Sequence, residues 1–566
     1  MYAVARSIVS LQASTDLSSE PGAALSIVLV ILGVLRGQAK RHLAALVLGA
    51  GGGPRHLSPA VSPYTAPVPG HALVMPSLGL QRERLVAPLL FVGLLAAFVV
   101  VQRGAVAAYD GQVMYGVARA ITHHRLSLTR LEDPFGRNSP YASFGIGLSL
   151  LVAPLYLLQQ ALHVANPLLV TLANPLLLAG TGLVIYWSGR RLGWSPPFAV
   201  LLSMLFAVLT MALQSSTELF SEPGVALATG LVILGFLLWR ERPTLGALTV
   251  GVGVGIAILF RSDSALLVAP AVVLLPLVVP LPQLRRSRAL LCLALPVLVA
   301  VGWTSYYSLL RSGTLVPQRY GGRFTTPLLE GLRGLLLSHG KSFFVFNPFL
   351  LLAVPGALLL WRRQRGVTVL LLLLASVRAL FYARWNFWTG DVCWGPRFLM
   401  PCTVPLVVLA GEALRGVSRL RPPLRVAGMA AVLALGAAAV VVNLASVWVP
   451  YEAAFNDTKL TPGLTGRAAS TARYHNLQDY TFTLRHSAIG YNLSHLHTRY
   501  WALRHFRGGA SPVGITALAL SVLAPALAGA AGRSRAPASS GDQSSDQDGS
   551  VAPSDALPKQ ATTVDR

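Results

Sequence analysis

The chain is short of charge. Of its 566 residues only 12% are Asp, Glu, Lys or Arg, against 54% hydrophobic, and the mean hydropathy is +0.59. A soluble domain carries roughly 25% charged residues. A chain this poor in them cannot clothe a water-facing surface, which disfavours a soluble enzyme, a repeat solenoid or a disordered regulator. Lysine is scarcer still: only Lys40, Lys341, Lys459 and Lys559 occur among 46 basic residues, and the others are arginine. With abundant Ala, Gly and Leu this is the composition of a GC-rich bacterial coding sequence. The formal charge of +25 would suggest nucleic acid in a soluble protein. Here the arginines cluster at the ends of apolar blocks, the footprint of membrane topology and anionic head groups. Three cysteines (Cys292, Cys393, Cys402) exclude a disulfide scaffold. Cys393 and Cys402 pair only if both face an oxidising side, and two free thiols is the plainer expectation. No Walker loop, HExxH or strand-helix GxGxxG occurs, so nothing supports cytoplasmic nucleotide chemistry.

What is present is a series of apolar blocks about 17–25 residues long, the length that crosses a hydrocarbon core of roughly 30 Å. Twelve are predicted to span: 85–102, 168–188, 197–213, 223–239, 244–260, 264–283, 289–309, 342–360, 366–382, 398–414, 425–447 and 512–531. The arginine groups at 82/84, 190/191, 240/242, 285–288, 362–365, 415–425 and 533/535 then all fall on the cytoplasmic side. A further apolar stretch, 145–162, would invert this parity if it spanned. It is expected to lie along the outer membrane surface. The fold class is therefore an all-α polytopic membrane protein with about twelve transmembrane helices and surface-lying helices in a long first outer loop.

Around the transmembrane core, 81–447, lie less regular parts. Residues 448–511 read as a small extracytoplasmic segment, 512–532 as the last transmembrane helix, and 533–566 as a disordered cytoplasmic tail. The N-terminal extension 1–80 holds a repeat: LQASTDLSSEPGAALSIVLVILGVL at 11–35 matches LQSSTELFSEPGVALATGLVILGFL at 213–237. It reads as a partial duplicate of 213–254 and a rearrangement remnant, rather than a functional module.

Ionisable residues beside hydrocarbon are costly, and so are candidates for function. Asp110 lies in Tyr109-Asp110-Gly111-Gln112, just beyond the first span. It could act as a general base, bind a cation, or simply cap a turn. Glu218 and Glu222 stand four apart before a span, where acidic residues also cap helix N-termini. Arg261 either pairs with Asp263 or binds an anion. The segment 384–397 holds three tryptophans, two arginines and Asp391. Trp394 is either a membrane anchor or a substrate contact. The Arg397 guanidinium suits bidentate phosphate binding. Lys341 either reaches a phosphate or snorkels. His123, His124, His495 and His497 lack the spacing of a structural metal site.

The order of these motifs resembles the GT-C superfamily of membrane glycosyltransferases, which includes protein O-mannosyltransferases and aminoarabinose transferases. An acidic motif, Tyr109-Asp110-Gly111-Gln112, follows the first span. Ser143-Phe144-Gly145 to Pro154-Leu155-Tyr156 stands in place of the surface helices. Ser221-Glu222-Pro223 matches the second acidic motif, and Gly395-Pro396-Arg397-Phe398-Leu399-Met400-Pro401 opens a late span. The similarity covers roughly 85–450 and does not extend to a large soluble domain of the oligosaccharyltransferase kind. It implies a hexosyl- or pentosyltransferase in the bacterial inner membrane, with its site on the extracytoplasmic face. The sugar would move from a polyprenyl phosphate to a hydroxyl of a lipid, glycan or protein acceptor, without nucleic acid. Asp110 and Glu222 would be catalytic, and Arg397, Arg261 and Lys341 would hold the donor phosphate. Tyr109, Gln112, Glu218, Asp391 and Trp394 would contact substrate. No cofactor is required, though a divalent metal, magnesium or manganese, is left open by Glu222 standing where many relatives have Asp. A transporter or flippase for a lipid-linked sugar is the alternative.

Overall fold

The computed structural model describes residues 77–129, 141–164, 167–239, 241–267, 287–315, 323–390, 393–451, 453, 481–484, 487–496 and 512–532. Among them there is no strand, and the chain is a polytopic all-α membrane protein. Among the described residues seven helices are long and apolar enough to cross a membrane: Leu168–Arg191, Glu222–Trp239, Pro243–Phe260, Arg288–Ser312, Arg365–Arg384, Arg397–Val417 and Pro422–Trp448. The N-terminal repeat (11–35), most of the expected span 264–283, most of 448–511, and the tail lie outside the described residues.

In chain order the helices are α1 (Ser77–Val100), α2 (Tyr109–Thr122), α3 (Gly147–Ala161), α4 (Ala173–Arg191), α5 (Pro196–Leu209), α6 (Glu222–Trp239), α7 (Pro243–Phe260), α8 (Ser287–Ser312), α9 (Leu328–Leu337), α10 (Ala353–Arg363), α11 (Arg365–Arg384), α12 (Thr403–Val417), α13 (Pro422–Trp448), α14 (Ala488–Ser494) and α15 (Pro512–Ala531). Helix α1 packs along α4 and the C-terminal α15, so the two ends of the described chain close on each other. Helices α6 and α7 pack antiparallel, α8 packs along α7 in the same direction, with Gly251 against Leu293 and Gly255 against Pro296, and α12 packs on α10.

The stretch 145–162 becomes α3, fifteen residues long. At 1.5 Å per residue that is about 22 Å, short of a full crossing. It packs against α2, which is also too short to span. The expected span 342–360 is broken. Residues Phe343–Phe346 form one turn, Pro348–Leu352 a 3-10 turn, and only Ala353–Arg363 is a regular helix. The cause is local. Pro348 lacks an N–H and pushes Asn347 out of the helical region, to φ −136° and ψ 62°. The Asn347 side chain covers the break, accepting from Met211 N at 2.8 Å and donating to Phe343 O at 2.8 Å. The block 197–213 is likewise shorter than expected as a helix, since α5 ends at Leu209 and Thr210 is extended.

Arginine placement follows the sequence parity. Arg191 pairs with Glu241, and Arg363 and Arg415 both reach Glu412, so the ends of α4, α6, α10 and α12 share one side. The start of α6 and the end of α7 then fall together at the opposite end of the bundle. The three cysteines are free thiols.

Candidate functional site

Helices α6 and α7 are antiparallel neighbours joined by a short turn, which brings Glu222, at the start of α6, to Arg261, just past the end of α7. Each charge suits its helix end, a carboxylate in a first turn and a guanidinium beyond a last one. Arg261 Nη1 donates to Glu222 Oε1 at 2.8 Å, and its Nε to Asp263 Oδ1 at 3.0 Å. Both reach deep burial, Glu222 at 1% exposure and Arg261 at 4%. Both sequence alternatives for Arg261 meet here: it pairs with Asp263 and also grips a second carboxylate.

The turn 216–222 links this pair to the first loop. Glu218 is buried, accepting from Arg103 Nη1 at 3.2 Å and from Ala108 N at 3.2 Å, so it fastens the loop after α1. The start of α2 presses on the same turn. A Cβ on Gly111 would lie 3.0 Å from both Leu219 Cβ and Leu219 O, so a larger residue there would push the turn away by a few tenths of an ångström. The result places Asp110, in the first turn of α2, beside Phe220 and Arg397. Arg397 Nη1 meets Asp110 Oδ2 at 2.8 Å, with side-chain exposures of 14% and 20%. The Arg397 guanidinium lies 4.6 Å from the Phe220 ring centre and 5.0 Å from that of Phe398. Gly390, at φ +73°, leaves room for the Arg397 side chain, whose Cγ would be 3.1 Å from an added Cβ.

The Arg397 charge is felt by Asp110 and Glu222 together, so the two carboxylates belong to one cluster. Phe398 forms its floor: the Arg261 guanidinium also lies 5.0 Å from that ring. Two polar atoms are buried there without a partner, Glu222 Oε2 and Arg397 Nε. An unsatisfied buried group costs about 1–3 kcal/mol, more when charged. Such atoms mark a place where a ligand's polar groups would be welcome.

Sequence reasoning missed the layer behind the cluster. Tyr382 donates its hydroxyl to Asp263 and stacks on Phe398, ring centres 4.7 Å apart. Arg378, 3% exposed, donates from Nε to Phe398 O at 2.6 Å and from Nη2 to Tyr382 Oη at 3.5 Å. It lies six residues before the end of α11, about 9 Å inside that helix. The signal was legible: a lone arginine in an otherwise apolar span is expensive. Asp110, Glu222 and Asp263 thus face Arg261, Arg378 and Arg397, equal in formal charge.

Other expected site residues stand elsewhere. Lys341 is 1% exposed, its ammonium donating to Cys393 O at 2.8 Å and Gly395 O at 3.2 Å, so it braces the loop that leads to Arg397. Trp394 packs edge-on against Phe346 in a separate apolar cluster. Gln112 donates to the carbonyls of Val106 and Ala107, both at 3.2 Å, and holds its own loop. Tyr109 meets Phe144 edge-on at 6.3 Å. Asp391 lies outside the described residues.

A divalent metal fits this donor set poorly. Among the described residues no group of three or more His, Cys, Asp or Glu side chains converges. One oxygen of each carboxylate, Asp110 Oδ2 and Glu222 Oε1, is already engaged by a guanidinium.

No family model and no curated protein matches the chain. Among solved structures it is similar to ArnT from Cupriavidus metallidurans bound to undecaprenyl phosphate, at 15% identity, covering 79% of this chain and 77% of that one, with a TM-score of 0.44. It is also similar to the archaeal oligosaccharyltransferase AglB from Archaeoglobus fulgidus in complex with an inhibitory peptide and a dolichol-phosphate. There the identity is 14%, the coverage 71% of this chain and 60% of that one, and the TM-score 0.39.

Proposed function

We propose that this protein is an inner-membrane glycosyltransferase that moves a sugar from a polyprenyl-phosphate donor to an acceptor hydroxyl at the extracytoplasmic face. The observation that carries this reading is the Asp110–Arg397 pair, two residues 287 positions apart held at 2.8 Å with the Arg397 Nε unsatisfied behind them. The pair supplies the two things that glycosyl transfer from a lipid phosphate needs, a carboxylate to take a proton and a guanidinium to receive a phosphate.

In this mechanism Asp110 accepts the proton of the acceptor hydroxyl as that oxygen attacks the anomeric carbon. The bond from that carbon to the phosphate oxygen breaks, and the electron pair leaves with the lipid phosphate. General-base assistance of this kind contributes about 10²–10⁴ in rate. Arg397, five donors in a rigid fork, bonds the departing phosphate while remaining close to Asp110. Arg261 holds Glu222 in place, and the Glu222 Oε2 that lacks a partner is available to a sugar hydroxyl. Because the resting cluster is balanced in formal charge, the incoming phosphate brings an excess negative charge that Arg397 turns to meet. Preorganised charges aimed at a leaving group are the large electrostatic term in such reactions. Residues 1–80 are dispensable in this scheme, and their deletion leaves activity intact.

Transport of the same lipid is the competing class, and one feature touches it. Transporters carry broken helices at a mid-membrane site, and 343–363 is broken. Both amide groups of Asn347 are engaged by protein partners, however, and Phe346 and Phe349 are buried, so the break is a packed kink. The test uses the purified full chain in vesicles with radiolabelled undecaprenyl-phosphate sugars and membrane acceptors. Label appearing on an acceptor, and lost with Asp110→Asn, supports transfer. Movement of intact labelled lipid between leaflets, without transfer, overturns it.

A further inference from the structure

Beside the ion-pair cluster lies a second, smaller feature that the reaction scheme does not use. A recess of about 20 Å³ is lined by Phe144, Ile146, Ile258, Thr304, Tyr307 and Ser308, and also by Ser262 and Arg311. It adjoins the cluster on two sides. Ser262 lies between Arg261 and Asp263 in the chain, and Phe144 touches Tyr109, the neighbour of Asp110.

Two hydroxyls in this recess have no hydrogen-bond partner: Thr304 Oγ1 and Ser308 Oγ. Tyr307 and Ser308 are more than nine-tenths buried. That is unusual for this molecule. Thr181, Ser203, Thr210 and Thr229 each bond a carbonyl one helical turn back, at 2.7–2.9 Å. In hydrocarbon a helical hydroxyl satisfies itself in this way by default. Thr304 and Ser308, also helical, do not. Tyr307 Oη is hydrogen-bonded to the Ala142 backbone, and the Ala142 carbonyl accepts from Arg311 Nη1 at 3.3 Å.

The recess is therefore built to bond something small and hydroxylated. No carboxylate lines it, and its hydroxyls can each donate or accept. Apolar walls from Phe144, Ile146 and Ile258 suit a methylene. Its volume exceeds the 10–15 Å³ or so that one water needs, but it does not admit a whole sugar ring. We propose that it takes the exocyclic hydroxymethyl group of a hexopyranose, so that the sugar handled at the neighbouring cluster is a hexose and not a pentose. This rests on reading that cluster as a sugar site.

The test needs sugars that differ only in this group. Glucose and xylose, galactose and arabinose, and mannose and lyxose form three such pairs as pyranosides. Binding of the octyl glycosides, below their micellar concentrations, is measured on the full chain in nanodiscs. A site that bonds a hydroxyl rejects an analogue lacking it, so in at least one pair the hexoside binds about tenfold or more tightly than its pentoside. The isosteric variant Thr304→Val/Ser308→Ala brings that preference to within about twofold, as does Ser308→Ala in part. Equal binding within every pair, no binding at all, or a preference unchanged in the double variant overturns the proposal and makes the recess a water site. The outcomes separate from the enzyme reading. Transfer abolished by Asp110→Asn without hexose preference removes the pocket alone. Hexose preference without any transfer removes the enzyme reading alone.

Discussion

Two buried carboxylates, at opposite ends of the helical bundle, are treated differently by the fold. Glu412, at the arginine-rich end, accepts from Trp194 Nε1 at 2.7 Å, Arg415 Nη1 at 3.1 Å and Arg363 Nη1 at 2.9 Å. Both of its oxygens are used, and the three donors come from the loop after α4 and from the ends of α10 and α12. Glu222, at the other end, has one oxygen on Arg261 and the other on nothing. The first is a clamp that ties three elements together. The second, with Asp110, belongs to a cluster whose bonding is incomplete. A saturated buried ion cluster serves the fold, whereas an unsaturated one retains capacity for a ligand.

Breaking each end in turn sharpens this contrast. The largest effect falls on Asp110. Asp110→Asn keeps the side-chain shape and lowers transfer per folded molecule by about 10²–10⁴, and because it takes the counter-charge from Arg397 it also lowers the melting temperature, as radiolabel transfer and thermal unfolding in detergent check. Arg397→Lys keeps the charge but loses the fork, and kcat falls by about 10²–10³. An unchanged rate in that variant would count against a phosphate role for Arg397.

The opposite end is expected to reverse the pattern. Glu412→Gln leaves Arg363 and Arg415 without a counter-charge, and removing one partner of a buried ion pair costs about 3–5 kcal/mol. Partial exposure of the Arg363 side chain places the loss at the lower end of that range or below it. Here the melting temperature drops while the folded fraction transfers sugar at nearly the parent rate. A selective loss of kcat would erase the contrast between the two clusters. The smallest effect is expected at the supporting layer. Tyr382→Phe removes the hydroxyl from Asp263, loosens Arg261, and lowers kcat about threefold to tenfold, which corresponds to one hydrogen bond of about 0.5–1.5 kcal/mol.

Much of this site was legible before any coordinates. Asp110, Glu222, Arg261 and Arg397 stood out because each is a charge beside a hydrocarbon block, where chance occurrence is costly. Asp263 was legible as a partner for Arg261 through its spacing alone. The residues whose roles differ from expectation share another feature. Lys341, Glu218 and Trp394 are also conspicuous at span ends, but whether such a side chain faces a cavity or a neighbour's backbone depends on helix rotation. A hydropathy pattern in a helix buried on most sides does not set that rotation. Arg378 was overlooked because it sat inside a block already accepted as a span. The orphan hydroxyls of α8 carried no signal, since a serine that bonds its own helix and one that does not are the same letter.

The sequence by itself determined that the chain is a bundle of apolar helices and that arginines gather at the helix ends. These follow from length and charge, which are properties of a few adjacent residues. Only the tertiary structure decided that Asp110 meets Arg397, that Glu222 keeps one oxygen unbonded while Glu412 keeps none, and that Tyr382 and Arg378 stand behind Arg261. Those outcomes depend on how helices far apart in the chain turn and pack, and hydrogen-bond saturation is a property of that packing.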